Sequence, residues 1–194
     1  SSSGTSSYDE EYNSGIGSNG LTSARHDVLS HYIKEKYPES YDNDLPSELA
    51  YCGSKNLTDK LEGFNIDIGK MLLSPTRSYA PLLKLIFDEI GRNKINGIIH
   101  CTGGGQTKIL HFIDNLHIIK NNLFEIPSIF KLIMNESNTD PKEMYKVFNM
   151  GHRMEIYLDP ENASKVIDIS KSVGVDAKII GEVIESDVKR LSIQ

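Results

Sequence analysis

The apolar positions along this chain change period several times, and each change marks an expected element. From Thr22 onward, Val28, Leu29, Tyr32 and Ile33 recur at helical spacing until Tyr37-Pro38, which predicts one helix that Thr22 or Ser23 is placed to cap. Residues 38–69 are polar and turn-rich and read as an ordered excursion anchored by Leu45, Leu49, Leu57 and Leu61. Leu82, Leu83, Leu85, Ile86 and Ile90 then mark a helix with Pro81 in its first turn and Gly91 at its end. The run Ile98-Ile99-His100-Cys101-Thr102 is short, apolar and bounded by turn residues, which suits a buried strand, and Ile109, Leu110, Phe112 and Ile113 resume helical spacing beyond it.

The second half alternates more regularly. "IPSIFKLIMNES" and "DPKEMYKVF" each place a proline near a helix start, with Asp140 and Glu143 at capping-box spacing. "HRMEIYL" sets Met154, Ile156 and Leu158 against polar partners, as a half-buried strand does. "DPENASKVIDISKSVG" repeats the Asp-Pro helix start and stops at Gly174, and "DAKIIGEVIES" reads as a last strand. This alternation gives an α/β (α+β) fold class, a mixed β-sheet covered by helices.

Composition narrows the class. With 194 residues, 38% of them hydrophobic and 25% charged, the chain has the make-up of one folded domain. A net charge of -6 works against nucleic-acid binding. The longest apolar runs fall far short of the roughly 20 residues of a membrane span, and no stretch resembles a secretory leader, so a soluble cytoplasmic protein is expected. Cys52 and Cys101 have no metal-ligand spacing; both are expected reduced, with Cys101 a small buried hydrophobe rather than a nucleophile. "SSSGTSSYDEEYNSGIGSNG" begins without Met and is dense in Ser, Gly and Asn, which suggests a fragment: a linker or interdomain segment over 1–13, then one domain over 14–194.

The candidate chemistry centres on Gly103, Gly104 and Gly105. Three consecutive glycines weaken local structure unless the loop needs unusual dihedrals or close backbone approach. A strand, a glycine turn and a helix N-terminus would present unpaired N–H groups, with a helix dipole behind them, to an anion such as phosphate. A tight turn that merely lets helix and strand pack closely explains the pattern equally well. "SGIGSNG" also leads into a helix start.

Four stretches together are similar to one family. "SGIGSNGLTSAR", "LLSPTRSYAPLLKLI", "IIHCTGGG" and "EMYKVFNMG" resemble, in order, the Ser-Asn-Gly loop, the Pro-Thr-Arg segment, the His-x-Thr-Gly-Gly-Gly loop and the Phe-Asn-Met-Gly turn of the phosphoribosylformylglycinamidine cyclo-ligases, the aminoimidazole ribonucleotide synthetases. The resemblance runs from about Ser14 to Ser186 and covers the family's C-terminal domain, without the N-terminal domain that carries most of the ATP site. It implies ATP-dependent ring closure of formylglycinamidine ribonucleotide in purine biosynthesis, with ATP and Mg2+ bound mainly by the other domain and a homodimer in the full-length protein. The chain alone, lacking a lysine-bearing phosphate loop or a magnesium-spaced acidic cluster, is expected to be inactive.

By the same resemblance, Ser18, Asn19, Gly20, Arg77, His100, Thr102, Gly103, Gly104, Gly105, Asn149 and Gly151 are the substrate- or phosphate-binding candidates. Arg77 offers a bidentate fork to an anion, or caps a loop through backbone carbonyls. His100 and Thr102 alternate with Ile99 and Cys101 and so share one side of the strand end; a satisfied core histidine is the alternative. Asn149 and Gly151 are explained equally by a helix stop in the left-handed conformation. Where the family commonly has a histidine, this chain has Gly17, and His26 is read as a solvent-facing helix residue. His152-Arg153 also departs from the family's small or apolar residues. Thiamine-phosphate kinase, selenophosphate synthetase and formylglycinamidine ribonucleotide synthetase share the two-domain plan, but the Thr-Gly-Gly-Gly and Phe-Asn-Met-Gly pair disfavours them. The remaining rival is a non-catalytic domain of the superfamily that only binds a phosphorylated ligand.

Overall fold

A computed structural model describes residues 2–3, 16, 20–74 and 76–194. Its elements in chain order are β1 (Ser2–Ser3), α1 (Leu21–Val28), α2 (His31–Lys36), α3 (Ile68–Leu72), α4 (Ala80–Ile90), β2 (Ile95–His100), β3 (Leu116–Lys120), α5 (Ser128–Ser137), α6 (Pro141–Val147), β4 (Met154–Leu158), α7 (Ala163–Ser172), β5 (Asp176–Ala177), β6 (Gly181–Glu185) and β7 (Arg190–Ile193).

One core is helical. α1, α2, α3, α5 and α6 enclose Ala24, Val28, Ile33, Met71, Ile129, Phe130, Ile133, Met144 and Phe148. The single helix expected from Thr22 to Tyr37 is two, because Leu29 turns extended (φ -84°, ψ 145°). There Leu29 bridges to Lys55, and the Ser30 amide donates to the Lys55 carbonyl at 2.8 Å. Tertiary backbone pairing therefore overrides the local period. The helix starts at Gly20, left-handed at φ 79°, and no side chain caps it, so the expected Thr22 or Ser23 cap is not formed. In the excursion over residues 38–69, Leu49 and Leu57 are exposed rather than anchoring. The anchor is Tyr51, 1% exposed, whose hydroxyl bonds Ser40 and accepts from the Arg25 guanidinium at 3.0 Å.

The rest is layered. β2 and β4 pair antiparallel, His100 opposite Met154 and Ile98 opposite Ile156. One face of this pair (Ile98, Met154, Ile156, Leu158) packs on α4 and α7 through Leu82, Ile86, Val166 and Ile169. The other face (Ile99, Cys101, Tyr157) meets Ile118 of a three-stranded mixed sheet ordered β6-β3-β7. Both faces of β4 are thus covered, and the half-buried strand expected there is a central layer. The mixed sheet has three strands. β3 and β7, which run parallel, were not foreseen, and the last expected strand divides into β5 and β6. α4 starts at Pro81 in its first turn and stops at Gly91 (φ 94°), as its sequence indicates.

Candidate functional site

All three loop glycines are left-handed, with φ 52° at Gly103, 95° at Gly104 and 49° at Gly105, a conformation other residues adopt at a cost. They do different jobs. A Cβ on Gly105 would lie 2.5 Å from the Phe148 carbonyl oxygen and 2.6 Å from that of Tyr145, so this glycine is required by packing. A Cβ on Gly103 would meet nothing within 4 Å, and the loop is open on that side. Among the described residues the amides of Gly103 and Gly104 donate to no carbonyl. The packing reading of the motif therefore holds at Gly105, while the backbone at Gly103 faces open space.

The segment after the loop corrects an expectation. Residues Gly105–His111 form a 3-10 helix, not an α-helix, so no extended helix dipole backs the glycines. Positive charge comes instead from Lys108, whose ammonium donates to the His100 carbonyl at 3.1 Å and so stands beside the loop. His100 itself stands at the end of β2 with its ring only partly shielded from water, and that partial desolvation, followed by the Lys108 charge, lowers its pKa, which favours a neutral imidazole near neutral pH. Thr102, on the same side, is half-buried and its amide closes onto the His100 carbonyl at 2.8 Å. Tyr79 reaches this place from the Pro-Thr-Arg segment. Its ring is edge-on to His100 at 6.4 Å, and its hydroxyl is buried without a hydrogen-bond partner among the described residues.

Three of the four motif stretches meet at Phe148. Its ring fills the space beside Gly20, where a Cβ would come within 2.6 Å, and its carbonyl abuts Gly105. Gln106 ties the glycine loop to the following turn, its amide nitrogen donating to the Asn149 carbonyl at 2.8 Å. Asn149 is buried, and its side chain accepts from the Gly151 amide at 2.8 Å. The left-handed residues of that turn are Met150 and Gly151, not Asn149. A Cβ on Gly151 would press on Pro127 at 3.0 Å. Ser18 and Asn19 lie outside the described residues. The Arg77 guanidinium donates to the Gly174 carbonyl at 3.0 Å, the loop-capping contact its type also predicted.

Beneath the loop lies a charged network that sequence reasoning missed. Lys120 and Glu155 form an ion pair at 2.6 Å with side chains only 1% and 3% exposed. The ammonium also donates to both oxygens of Gln106, at 3.0 and 2.9 Å, and Tyr157 donates its hydroxyl to the other Glu155 oxygen at 2.6 Å. Burial and the neighbouring Glu155 push the Cys101 thiol and the Tyr157 phenol well above their ordinary range. His152 is fully buried, accepts from the Phe124 amide at 3.1 Å, and is held at a pKa of about 3 by burial, reinforced by positive charges that include Lys120 and Lys178. His26 is likewise buried rather than solvent-facing, its ring tilted against that of Tyr51 with centroids 4.7 Å apart. The sequence did carry a signal for the network. Lys120 in "LHIIK" and Glu155 in "MEIYL" are opposite charges inside two apolar strands.

Two clefts lie elsewhere. One of about 630 Å³ is lined by Arg25, His26, Tyr41 and Asp42 among others, and one of about 660 Å³ by Tyr32, Lys36 and Asn56 among others; neither includes the glycine loop. Of the loop glycines, Gly103 is exposed and Gly105 buried. No described helix is long and apolar enough to cross a membrane, and the described residues hold no group of three His, Cys, Asp or Glu side chains placed for a metal ion.

The family model described as AIR synthase related protein, C-terminal domain, matches residues 4–194. The chain belongs to this family. Relatives named phosphoribosylformylglycinamidine cyclo-ligase include one from Methanococcus vannielii, 35% identical over 88% of this chain and 42% of its own length. One from Methanopyrus kandleri is 33% identical over 89% of the chain and 42% of its length, and one from Syntrophus aciditrophicus 29% identical over 92% and 47%. The chain thus spans less than half the length of these relatives. Its α/β layering with mixed and antiparallel sheets suits the AIR synthase C-terminal domain.

Proposed function

We propose that this chain is the C-terminal domain of a phosphoribosylformylglycinamidine cyclo-ligase and contributes the ribonucleotide-binding half of an ATP-dependent ring closure. The reaction takes formylglycinamidine ribonucleotide to aminoimidazole ribonucleotide and releases ADP and phosphate. Phosphorylation makes the amide oxygen a good leaving group, and the neighbouring amidine nitrogen then attacks the same carbon within one molecule, at high effective concentration. Such chemistry needs orientation above all.

The observation that carries the reading is the left-handed backbone of Gly103 and Gly104 beside Lys108, where the two glycine amides donate to no carbonyl among the described residues, in a chain matched along nearly its whole length by the family model. Unpaired N–H groups and an ammonium are suited to a phosphate or a formyl oxygen. His100, uncharged near neutral pH, and the Tyr79 hydroxyl offer further polar contacts at the strand end. The described residues do not fit a Mg2+ site of their own, so no step in this chain runs through the metal. ATP and Mg2+ belong, in this reading, to the other domain of a cytoplasmic, homodimeric full-length protein.

The test is turnover. The 194-residue chain with ATP, Mg2+ and formylglycinamidine ribonucleotide should show none, while the same chain joined to the N-terminal half of a relative should cyclise the substrate. In that fusion Gly104→Val, which adds a β-branched side chain at φ 95°, should raise KM for the ribonucleotide severalfold. A fusion that binds substrate yet never turns over would favour the non-catalytic alternative, and an unchanged KM would place the substrate elsewhere.

A further inference from the structure

We infer that the buried Lys120–Glu155 pair is a positioning device that sets the glycine loop through Gln106. The charges are 2.6 Å apart with side chains 1% and 3% exposed. Burying such a pair carries a desolvation cost that its own attraction need not exceed, and well-packed apolar residues often serve stability as well or better. Stability alone is therefore a weak reason for it.

Its geometry supplies another. A lysine ammonium has three donors, and here each has an acceptor: Glu155 Oε1, the Gln106 backbone carbonyl and Gln106 Oε1. By taking Oε1 the ammonium fixes which way the Gln106 amide faces. Nε2 is left to donate to the Asn149 carbonyl at 2.8 Å, with the His152 carbonyl at 3.4 Å. Glu155 is itself oriented by the Tyr157 hydroxyl at 2.6 Å. One connected network thus runs from β4 through β3 to the glycine loop and on to the Asn149 turn, and such networks rigidify when their members are satisfied.

The loop needs an external anchor. Gly103 and Gly104 have no side chains to pack, and glycine backbones are the freest to move. The first residue after them that has a side chain is Gln106, and it is 1% exposed. Lys120 and Glu155 are buried and spend their contacts on Gln106, Tyr157 and each other. They hold the loop amides in the binding conformation before a ligand arrives, which lowers the ordering cost of binding. The ligand part of this inference rests on the ribonucleotide reading above; the loop part does not.

Two variants test it in the 194-residue chain. Gln106→Met is close in size and removes the side-chain bonds to Lys120 and to the Asn149 carbonyl, while the ion pair and its bond to the residue-106 backbone carbonyl stay; Lys120→Met/Glu155→Leu/Tyr157→Phe replaces the polar members with apolar ones. Val166→Ala on α7, in the core against α4, is the control for general loss of stability. Hydrogen exchange at the Thr107 amide, which donates to the Gly104 carbonyl at 2.9 Å, reports loop order, and calorimetry reports affinity for formylglycinamidine ribonucleotide. We expect both variants to speed Thr107 exchange and to weaken binding at least tenfold, beyond the control at matched melting temperature. Exchange and affinity no different from Val166→Ala would overturn the inference. Absence of ribonucleotide binding by the unsubstituted chain would sink the functional reading alone, and the exchange arm would still decide the role of the pair. Should the triple variant not fold, Gln106→Met decides.

Discussion

The Phe148 carbonyl oxygen stands where a side chain on Gly105 would begin, 2.5 Å from an ideal Cβ, so one glycine of the loop is fixed by the turn that packs against it. Gly103, two residues earlier, faces open space. The two positions should therefore answer differently to the same substitution. Gly103→Ala should cost about 1–2 kcal/mol, the ordinary penalty of a left-handed alanine. Gly105→Ala adds the displacement of two backbone carbonyls and should exceed roughly 3 kcal/mol. Urea titration of both variants checks the difference, and equal losses would contradict the division of roles.

Acid should weaken the fold. The His152 pKa is held at about 3 by burial, and burial lowers those of His26 and His100 as well. A depressed pKa means the unfolded chain binds the proton first, so stability falls as pH drops from the unfolded value. For His152 that window runs from about 6.5 down to about 3, with a slope approaching ~1.4 kcal/mol per pH unit. Urea midpoints at pH 7.5, 6 and 5 should decline in that order. His152→Gln should flatten the decline, and an undiminished slope in that variant would remove His152 as the cause.

Tyr79→Phe deletes a hydroxyl that is buried with no partner among the described residues. The folded state loses nothing it was bonded to, so stability should hold or rise by about 1 kcal/mol. If the hydroxyl serves the ribonucleotide, affinity falls while the melting temperature does not. A clear fall in melting temperature would show that Tyr79 contributes through a contact of its own.

The two thiols should separate by reactivity. Cys52 is exposed, whereas Cys101 is fully buried with its thiol pKa raised by burial and Glu155. A thiol-labelling titration should find one reactive cysteine in the native chain and two after unfolding. Fast native labelling of both would contradict the burial of Cys101.

What the sequence revealed, and what it concealed, follows one physical divide. α4 was legible because its period, its Pro81 start and its Gly91 stop all agree locally. The alternation around β4 correctly placed Met154, Ile156 and Leu158 on one face, but a period of two cannot say whether the opposite face meets water or a second sheet. Glu155 and Tyr157 were lost to that ambiguity. Leu29 looked helical because the bridge to Lys55 is made by backbone distant in sequence. At the site, the glycines and His100 stood out as residue types, while Gln106 and Lys120 came into view only once the fold brought residues 106, 120, 149 and 155 together. Residues Phe148 to Glu155 are buried throughout, although Asn149, His152, Arg153 and Glu155 among them are polar, and no local pattern announces that burial.

The most direct measurement is a titration of the isotope-labelled chain with formylglycinamidine ribonucleotide, followed through its backbone amide resonances. The Gly103 and Gly104 amides, unpaired and left-handed, should move furthest and saturate together with Lys108. Shifts confined to Arg25, His26 and Asp42 around the cleft of about 630 Å³, with the glycine amides still, would contradict the proposed site.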